Sequence, residues 1–82
     1  MGNNGDGSNL LKTMEFKLKS EFVELDNMLK ALELVASGAE AKQQILAGAV
    51  KVNGAVESRI RRKLRSGDGV EFGGKNINIV VK

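Results

Sequence analysis

The sequence contains no cysteine, histidine, proline, tyrosine or tryptophan among its 82 residues. Without cysteine and histidine, the chain has no disulfide bond, no thiolate nucleophile and none of the usual zinc ligands. No apolar run approaches the roughly 18 residues of a membrane-spanning helix, and the first residues lack the basic and apolar segments of a signal peptide. We therefore expect a cytoplasmic protein that does not enter a membrane.

The residue types that remain for catalysis are serine, lysine, aspartate and glutamate. No pair of acids and no serine–lysine pair stands at a spacing that indicates a catalytic site. Lone carboxylates in a small domain are mostly surface residues. The sequence therefore predicts no enzymatic activity, no catalytic residue, no cofactor and no metal site.

The formal net charge is only +3, but the charges are unevenly distributed along the chain. Residues 1–36 carry four cations and six anions, a net charge of −2. Residues 37–82 carry nine cations and four anions, a net charge of +5. This asymmetry predicts one basic face, and such a face attracts the phosphate backbone of a nucleic acid.

A chain of this length forms one small domain, and its glycine- and asparagine-rich beginning is unsuited to a core. We interpret residues 1–13 as a disordered tail, either native or a cloning remnant, and residues 14–82 as the domain. Within the domain, "MEFKLK" (residues 14–19) alternates apolar and polar side chains and predicts a half-buried strand.

Two helices are predicted after this strand. The second helix begins at Ser37, which fits a capping box with Glu40, and it ends at Gly48, which supplies a left-handed stop. The first helix spans residues 24–35, and its apolar stripe consists of Leu25, Met28, Leu29, Leu32 and Val35.

The remainder of the chain predicts short strands joined by turns. Asn53-Gly54 and "SGDG" (residues 66–69) are turn signals. Residues 70–72 and 76–81 are predicted strands, and the last places Ile77, Ile79 and Val81 on one face. The order of elements indicates an α+β fold with two helices packed on a small, largely antiparallel sheet.

The sequence "RIRRKLR" (residues 59–65), called the basic run below, has five cations in seven residues and no acid. In an extended segment, Ile60 and Leu64 would anchor one side of the run. Arginine outnumbers lysine four to one, and its planar fork fits phosphate groups. We predict that the run binds nucleic acid, and the alternative is a solvated edge without a partner. The side opposite the anchors would present Arg59, Arg61, Lys63 and Arg65.

The pattern from Leu25 to Phe72 resembles the alpha-L RNA-binding domain, a module first described in the fourth protein of the small ribosomal subunit. The most specific elements are the residues from Gly48 to Gly54 ("GAVKVNG") and the pair Gly67-Asp68 before a strand. The resemblance is greatest to stand-alone bacterial members that consist of this domain alone. It implies a non-catalytic module that binds structured RNA in a bacterial cytoplasm, with ribosomal and transfer RNA as candidates.

Two positions depart from the larger family. Glu24 and Gly38 stand where many members have an arginine. Both differences remove a cation from the usual RNA face, and they imply a contact surface nearer the segment after the Asn53-Gly54 turn. Lys42 and Lys51 would extend this surface, and their alternative is an exposed lysine without a partner. The predicted RNA-binding residues are Lys42, Lys51, Arg59, Arg61, Arg62, Lys63 and Arg65.

The aromatic residues bear on the kind of RNA. Phe16, Phe22 and Phe72 are the only aromatic residues, and all three are predicted to lie in the core. Proteins that bind single-stranded bases usually present aromatic platforms. With no aromatic residue left for this role, recognition would depend on phosphates and on the shape of a folded RNA.

Other binding functions stay open at this point. A protein-interaction module that docks on a ribosomal or RNA-processing partner would use the same basic face. Binding of duplex DNA is disfavoured, because the second helix carries one cation, Lys42, and offers little for major-groove readout. A single domain of this size is expected to be a monomer.

Overall fold

The computed structural model describes residues 12–81. The predicted tail, residues 1–13, lies outside the described residues except for Lys12 and Thr13, which belong to the first strand. The elements within the described range are β1 (Lys12–Leu18), β2 (Val23–Glu24), α1 (Leu25–Ala31), α2 (Gly38–Leu46), β3 (Lys51–Val52), β4 (Ala55–Val56), β5 (Lys63–Leu64), β6 (Gly69–Phe72) and β7 (Lys75–Val81).

Five strands form a mixed sheet in the order β1-β7-β6-β3-β4. Strands β1 and β7 pair in parallel along their full lengths, whereas the other neighbours are antiparallel. Strands β2 and β5 form a separate antiparallel ribbon, in which Val23 lies opposite Leu64. The prediction of an α+β fold with a largely antiparallel sheet is confirmed, with the parallel β1–β7 pair as the exception.

Side chains from both helices and from one face of the sheet form a single core cluster. Phe16 and Phe72 are half-buried and pack against this cluster, as predicted. Val81 is predicted to share the apolar face of β7 but is 68% exposed, whereas Ile77 and Ile79 of the same strand are buried. None of the helices in residues 12–81 is long and apolar enough to cross a membrane. The largest fully buried side chains are Leu25, Met28, Leu29, Ile45, Leu64, Ile77, Ile79, Val50 and Val70.

Helix α2 begins and ends as predicted. The hydroxyl of Ser37 accepts a hydrogen bond from the amide of Glu40 (3.2 Å). The carboxylate of Glu40 accepts one from the amide of Ala36 (2.8 Å), one residue before the expected position. The helix ends in a Schellman motif, in which Gly48 has φ +80° and donates its amide hydrogen to the carbonyl of Ile45.

Helix α1 is shorter than the predicted residues 24–35 and ends at Ala31. It also ends in a Schellman motif, but the left-handed residue is Glu33, with φ 58°. The amide of Leu34 donates to the carbonyl of Leu29 (3.0 Å), which turns the chain back toward the core. Since glutamate is not a turn signal, the apolar periodicity alone extended the predicted helix beyond its true end.

Replacing Glu33 by glycine is expected to stabilise the protein by about 0.5–1 kcal/mol, because glycine adopts positive φ without a Cβ penalty. Glu33→Ala removes the same charge but keeps a Cβ, so it should give no comparable gain. Gly48→Ala should lower stability by about 1–2 kcal/mol for the same reason. Urea denaturation of the three variants tests this, and equal effects of the two Glu33 substitutions would contradict a backbone origin.

Candidate nucleic-acid interface

The basic run follows the β3–β4 hairpin and is attached to the first helix through its backbone. The amides of Leu25 and Asp26, at the start of α1, donate to the carbonyls of Arg62 (2.9 Å) and Ile60 (3.1 Å). The first amides of a helix lack partners within the helix. Within the described chain, the preceding Glu24 supplies no side-chain cap. The backbone of the run therefore caps α1, and the helix in turn fixes the position of the run.

The basic run is extended only in part. The amide of Arg62 lies 3.4 Å from the carbonyl of Arg59 across a turn, and only Lys63 and Leu64 pair as a strand. Leu64 is fully buried and Ile60 packs against the core, so the two predicted anchors are confirmed. The predicted alternation of exposure also holds, because the exposed residues of the run are Arg59, Arg61, Lys63 and Arg65.

A buried carboxylate, Glu57, holds two of the five cations. It accepts hydrogen bonds from the amide (2.9 Å), Nε (3.0 Å) and Nη2 (3.2 Å) of Arg59 and from Nη1 of Arg62 (3.3 Å). The side-chain and backbone hydrogen bonds from Arg59 outweigh the effect of burial and, together with the two positive charges, lower the pKa of Glu57 to about 2. The side chain of Arg59 stays 73% exposed, whereas that of Arg62 is 24% exposed.

The arrangement of the run creates an open depression of about 410 Å³ on the surface. Because the fields of neighbouring cations add, cations gathered in this way raise the local positive potential. Glu57 lies next to this group and compensates part of the charge without occupying the surface. The depression therefore presents an electropositive surface, and its lining residues are Arg59, Arg61, Arg62 and Lys63.

Phe22 lies beside the run, and its predicted place in the core is wrong. The Nζ atom of Lys63 is 4.9 Å from the centroid of the Phe22 ring, and the guanidinium carbon of Arg65 is 5.7 Å from it. Both distances are within the range of cation–π interactions. In the β2–β5 ribbon, Val23 and Leu64 face the core, so their neighbours Phe22, Lys63 and Arg65 lie on the other side.

The two predicted turns are joined by hydrogen bonds and hold the end of the run. Asn53 and Gly54 have φ 53° and 86°, as a type I′ hairpin turn requires. The side chain of Asn53 donates to Asp68 (3.0 Å) and accepts from the amide of Gly69 (2.9 Å). Asp68 also accepts from the amide of Arg65 (2.8 Å). Burial alone would raise the pKa of Asp68, but these hydrogen bonds and the nearby arginine charges lower it.

Lys42 and Lys51 lie outside the lining of this depression. Lys51 is exposed on β3 while Val52 is buried, as predicted, and it lines a second depression with Glu71 and Lys75. Lys42 is exposed on α2. The roles of both lysines in RNA binding stay predictions.

Sequence reasoning missed two residues of this region. Glu57 precedes Arg59 by two positions, and residues at this spacing share a side of an extended segment. That spacing was the available signal for the ion pair. For Phe22, the signal was the apolar alternation of Val23 and Leu25, which places the phenylalanine on the opposite side.

Glu57→Gln is expected to lower the free energy of unfolding at pH 7 by about 1–2 kcal/mol, because it weakens the hydrogen bonds to the two arginines. Since the folded-state pKa lies below its usual 4.5, the contribution of Glu57 is complete above about pH 4.5 and is lost as the pH falls toward 2. Between pH 4.5 and 2, the free energy of unfolding of Glu57→Gln should therefore fall less steeply than that of the wild type. Asp68, whose pKa is also lowered, contributes to the fall in both proteins.

Urea denaturation at several pH values measures this difference. Glu15→Gln is the matched control, because Glu15 is an exposed carboxylate on β1 and its substitution should change stability by less than about 0.5 kcal/mol. Parallel stability profiles of the wild type and Glu57→Gln between pH 4.5 and 2 would rule out a paired Glu57.

Comparisons with known proteins agree with this structure. The family model of the S4 domain matches residues 16–80. YbcJ of Escherichia coli (strain K12) and YbcJ of Shigella flexneri are each 45% identical to the chain over 62 residues, which cover 76% of this chain and 89% of theirs.

The solution structure of E. coli YbcJ matches the fold with a TM-score of 0.61 and 38% identity, and it covers 98% of this chain and 96% of that one. That structure is described as revealing an αL motif involved in RNA binding. The resemblance to the alpha-L domain that the sequence indicated is thus confirmed. The chain belongs to the S4 domain family.

Proposed function

We propose that this protein is a non-catalytic RNA-binding module that holds structured RNA against the basic run. The observation that carries the proposal is the depression lined by four cations of the run. The relationship to E. coli YbcJ, whose αL motif is described as involved in RNA binding, supports it. The proposed partner is a folded RNA, such as ribosomal or transfer RNA, bound by a monomer in the cytoplasm.

The chemistry of the depression suits a phosphate backbone. Arg61 and Lys63 are exposed, and in the described range, residues 12–81, neither has a carboxylate oxygen within 4.0 Å. The arginine fork donates two parallel hydrogen bonds to a phosphate, and the lysine contributes a compact point charge. Both charges are therefore available to replace the counterions of an RNA strand.

Arg59 and Arg62 contribute differently, because Glu57 already holds their side chains. A side chain that is ordered before binding loses less conformational entropy when it contacts a ligand. The exposed Arg59 has guanidinium surface left for a phosphate, whereas the half-buried Arg62 mainly adds positive potential. The run thus combines two cations that have no carboxylate partner in residues 12–81, Arg61 and Lys63, with two that Glu57 positions, Arg59 and Arg62.

The double variant Arg61→Gln/Lys63→Gln tests the proposal. Each lost phosphate contact should flatten the dependence of the logarithm of the binding constant on the logarithm of salt concentration by about one unit, so two units are expected. Affinity at low salt should fall at least about 10-fold. The measurement is fluorescence anisotropy of a labelled RNA hairpin, titrated at several KCl concentrations.

Lys17→Gln/Lys30→Gln is the matched control, since it removes the same charge from exposed positions on β1 and α1. The control should change stability by less than about 0.5 kcal/mol. Arg61→Gln/Lys63→Gln should lower it by no more than about 1 kcal/mol, because it also removes the contact of Lys63 with the Phe22 ring. If the two weaken RNA binding equally, only net charge matters and the basic run is not the interface. If Arg61→Gln/Lys63→Gln binds like the wild type, the proposal fails.

A further inference from the structure

The β2–β5 ribbon carries an aromatic ring on its outer side, next to the depression. Phe22 directly precedes β2, and the pairing of Val23 with Leu64 sets the register. Leu64 is fully buried and Val23 packs against the core, whereas Phe22 is half-buried and lies outside the core cluster. The ring is therefore held at the surface by the backbone of the ribbon.

The partners of this ring are two cations. Lys63 Nζ and the Arg65 guanidinium carbon lie 4.9 Å and 5.7 Å from the centroid of Phe22. In residues 12–81, no carboxylate oxygen lies within 4.0 Å of either cationic group, whereas Arg59 is paired with Glu57. An exposed cation–π contact is weaker than a charge-assisted hydrogen bond to phosphate. Lys63 and Arg65 can therefore leave the ring and bind a phosphate instead.

We propose that Phe22, Lys63 and Arg65 form a nucleotide subsite, in which the ring stacks on one unpaired base and the two cations bind its flanking phosphates. The inference rests on the proposed function and adds to it a preference for RNA that carries a bulged nucleotide. When Lys63 and Arg65 move to the phosphates, the face of the ring becomes available. Stacking is sequence-tolerant, because every base has a π-face. Any bulged base is therefore a suitable ligand.

If the ring of Phe22 only positions the two cations, the effect of replacing it on RNA binding should be different. Positioning affects every RNA whose phosphates contact Lys63 and Arg65, with or without a base at the bulge. Stacking affects only the RNA that offers a base. Two RNA hairpins separate these roles, one with a bulged adenosine and one with an abasic nucleotide at the same position, because they have the same charge and backbone.

The wild type is expected to bind the adenosine hairpin about 5- to 100-fold more tightly than the abasic hairpin, the range typical of one stacked base. Phe22→Leu should remove this preference and leave binding of the abasic hairpin within about 2-fold. Phe22→Tyr should retain it, because tyrosine also stacks. Phe72→Leu is the matched control, since Phe72 is half-buried against the core, and it should retain the preference.

The outcomes separate this inference from the proposed function. Equal weakening of both hairpins by Phe22→Leu, or no effect on either, overturns the stacking role. If the wild type binds both hairpins equally and Arg61→Gln/Lys63→Gln weakens both, the stacking role fails while the proposed function stands. If the wild type binds neither hairpin, both fail. Circular dichroism should show a folded Phe22→Leu variant, because the ring lies outside the core.

Discussion

Two backbone hydrogen bonds, from the amides of Leu25 and Asp26 to the carbonyls of Arg62 and Ile60, connect the first helix to the basic run. They satisfy amides that the helix itself leaves without partners. They also fix the position of the basic run, of which only Lys63 and Leu64 belong to a strand. Because Leu64 is buried in the core, its neighbours in the run, Lys63 and Arg65, lie on the surface. The function proposed for the protein therefore depends on how its first helix begins.

Without neighbouring groups that interact with them, the five cations of the basic run would repel one another. The structure divides them between three environments. The buried Glu57 forms ion pairs with Arg59 and Arg62. The ring of Phe22 forms cation–π contacts with Lys63 and Arg65. Arg61 is exposed to solvent. Because neither Glu57 nor Phe22 covers the depression, repulsion within the run is reduced while the surface stays positive toward a partner.

The sequence alone was sufficient for features that depend on neighbours in the chain. The alternation in β1, the capped start of α2, its end at Gly48 and the turn at Asn53-Gly54 were all predicted correctly. So were the two anchors that pack in or against the core and the exposed cations of the basic run. Each of these features follows from a period of two, from a capping pair or from a residue that tolerates positive φ. Such signals span only a few residues, so they can be read without knowing the fold.

Other features were decided only when distant segments met. The β2–β5 ribbon joins residues about forty positions apart in the chain, and its register turns Phe22 away from the core and toward the cations. The parallel pairing of β1 with β7 and the end of α1 at Glu33 also depend on which apolar faces come together. Local periodicity determines which side chains can be buried, but the burial of one face in preference to another is settled by long-range packing. The sequence by itself thus determined which residues of the basic run are anchors and which are exposed cations, and the tertiary structure decided that Glu57 and Phe22 contact those cations.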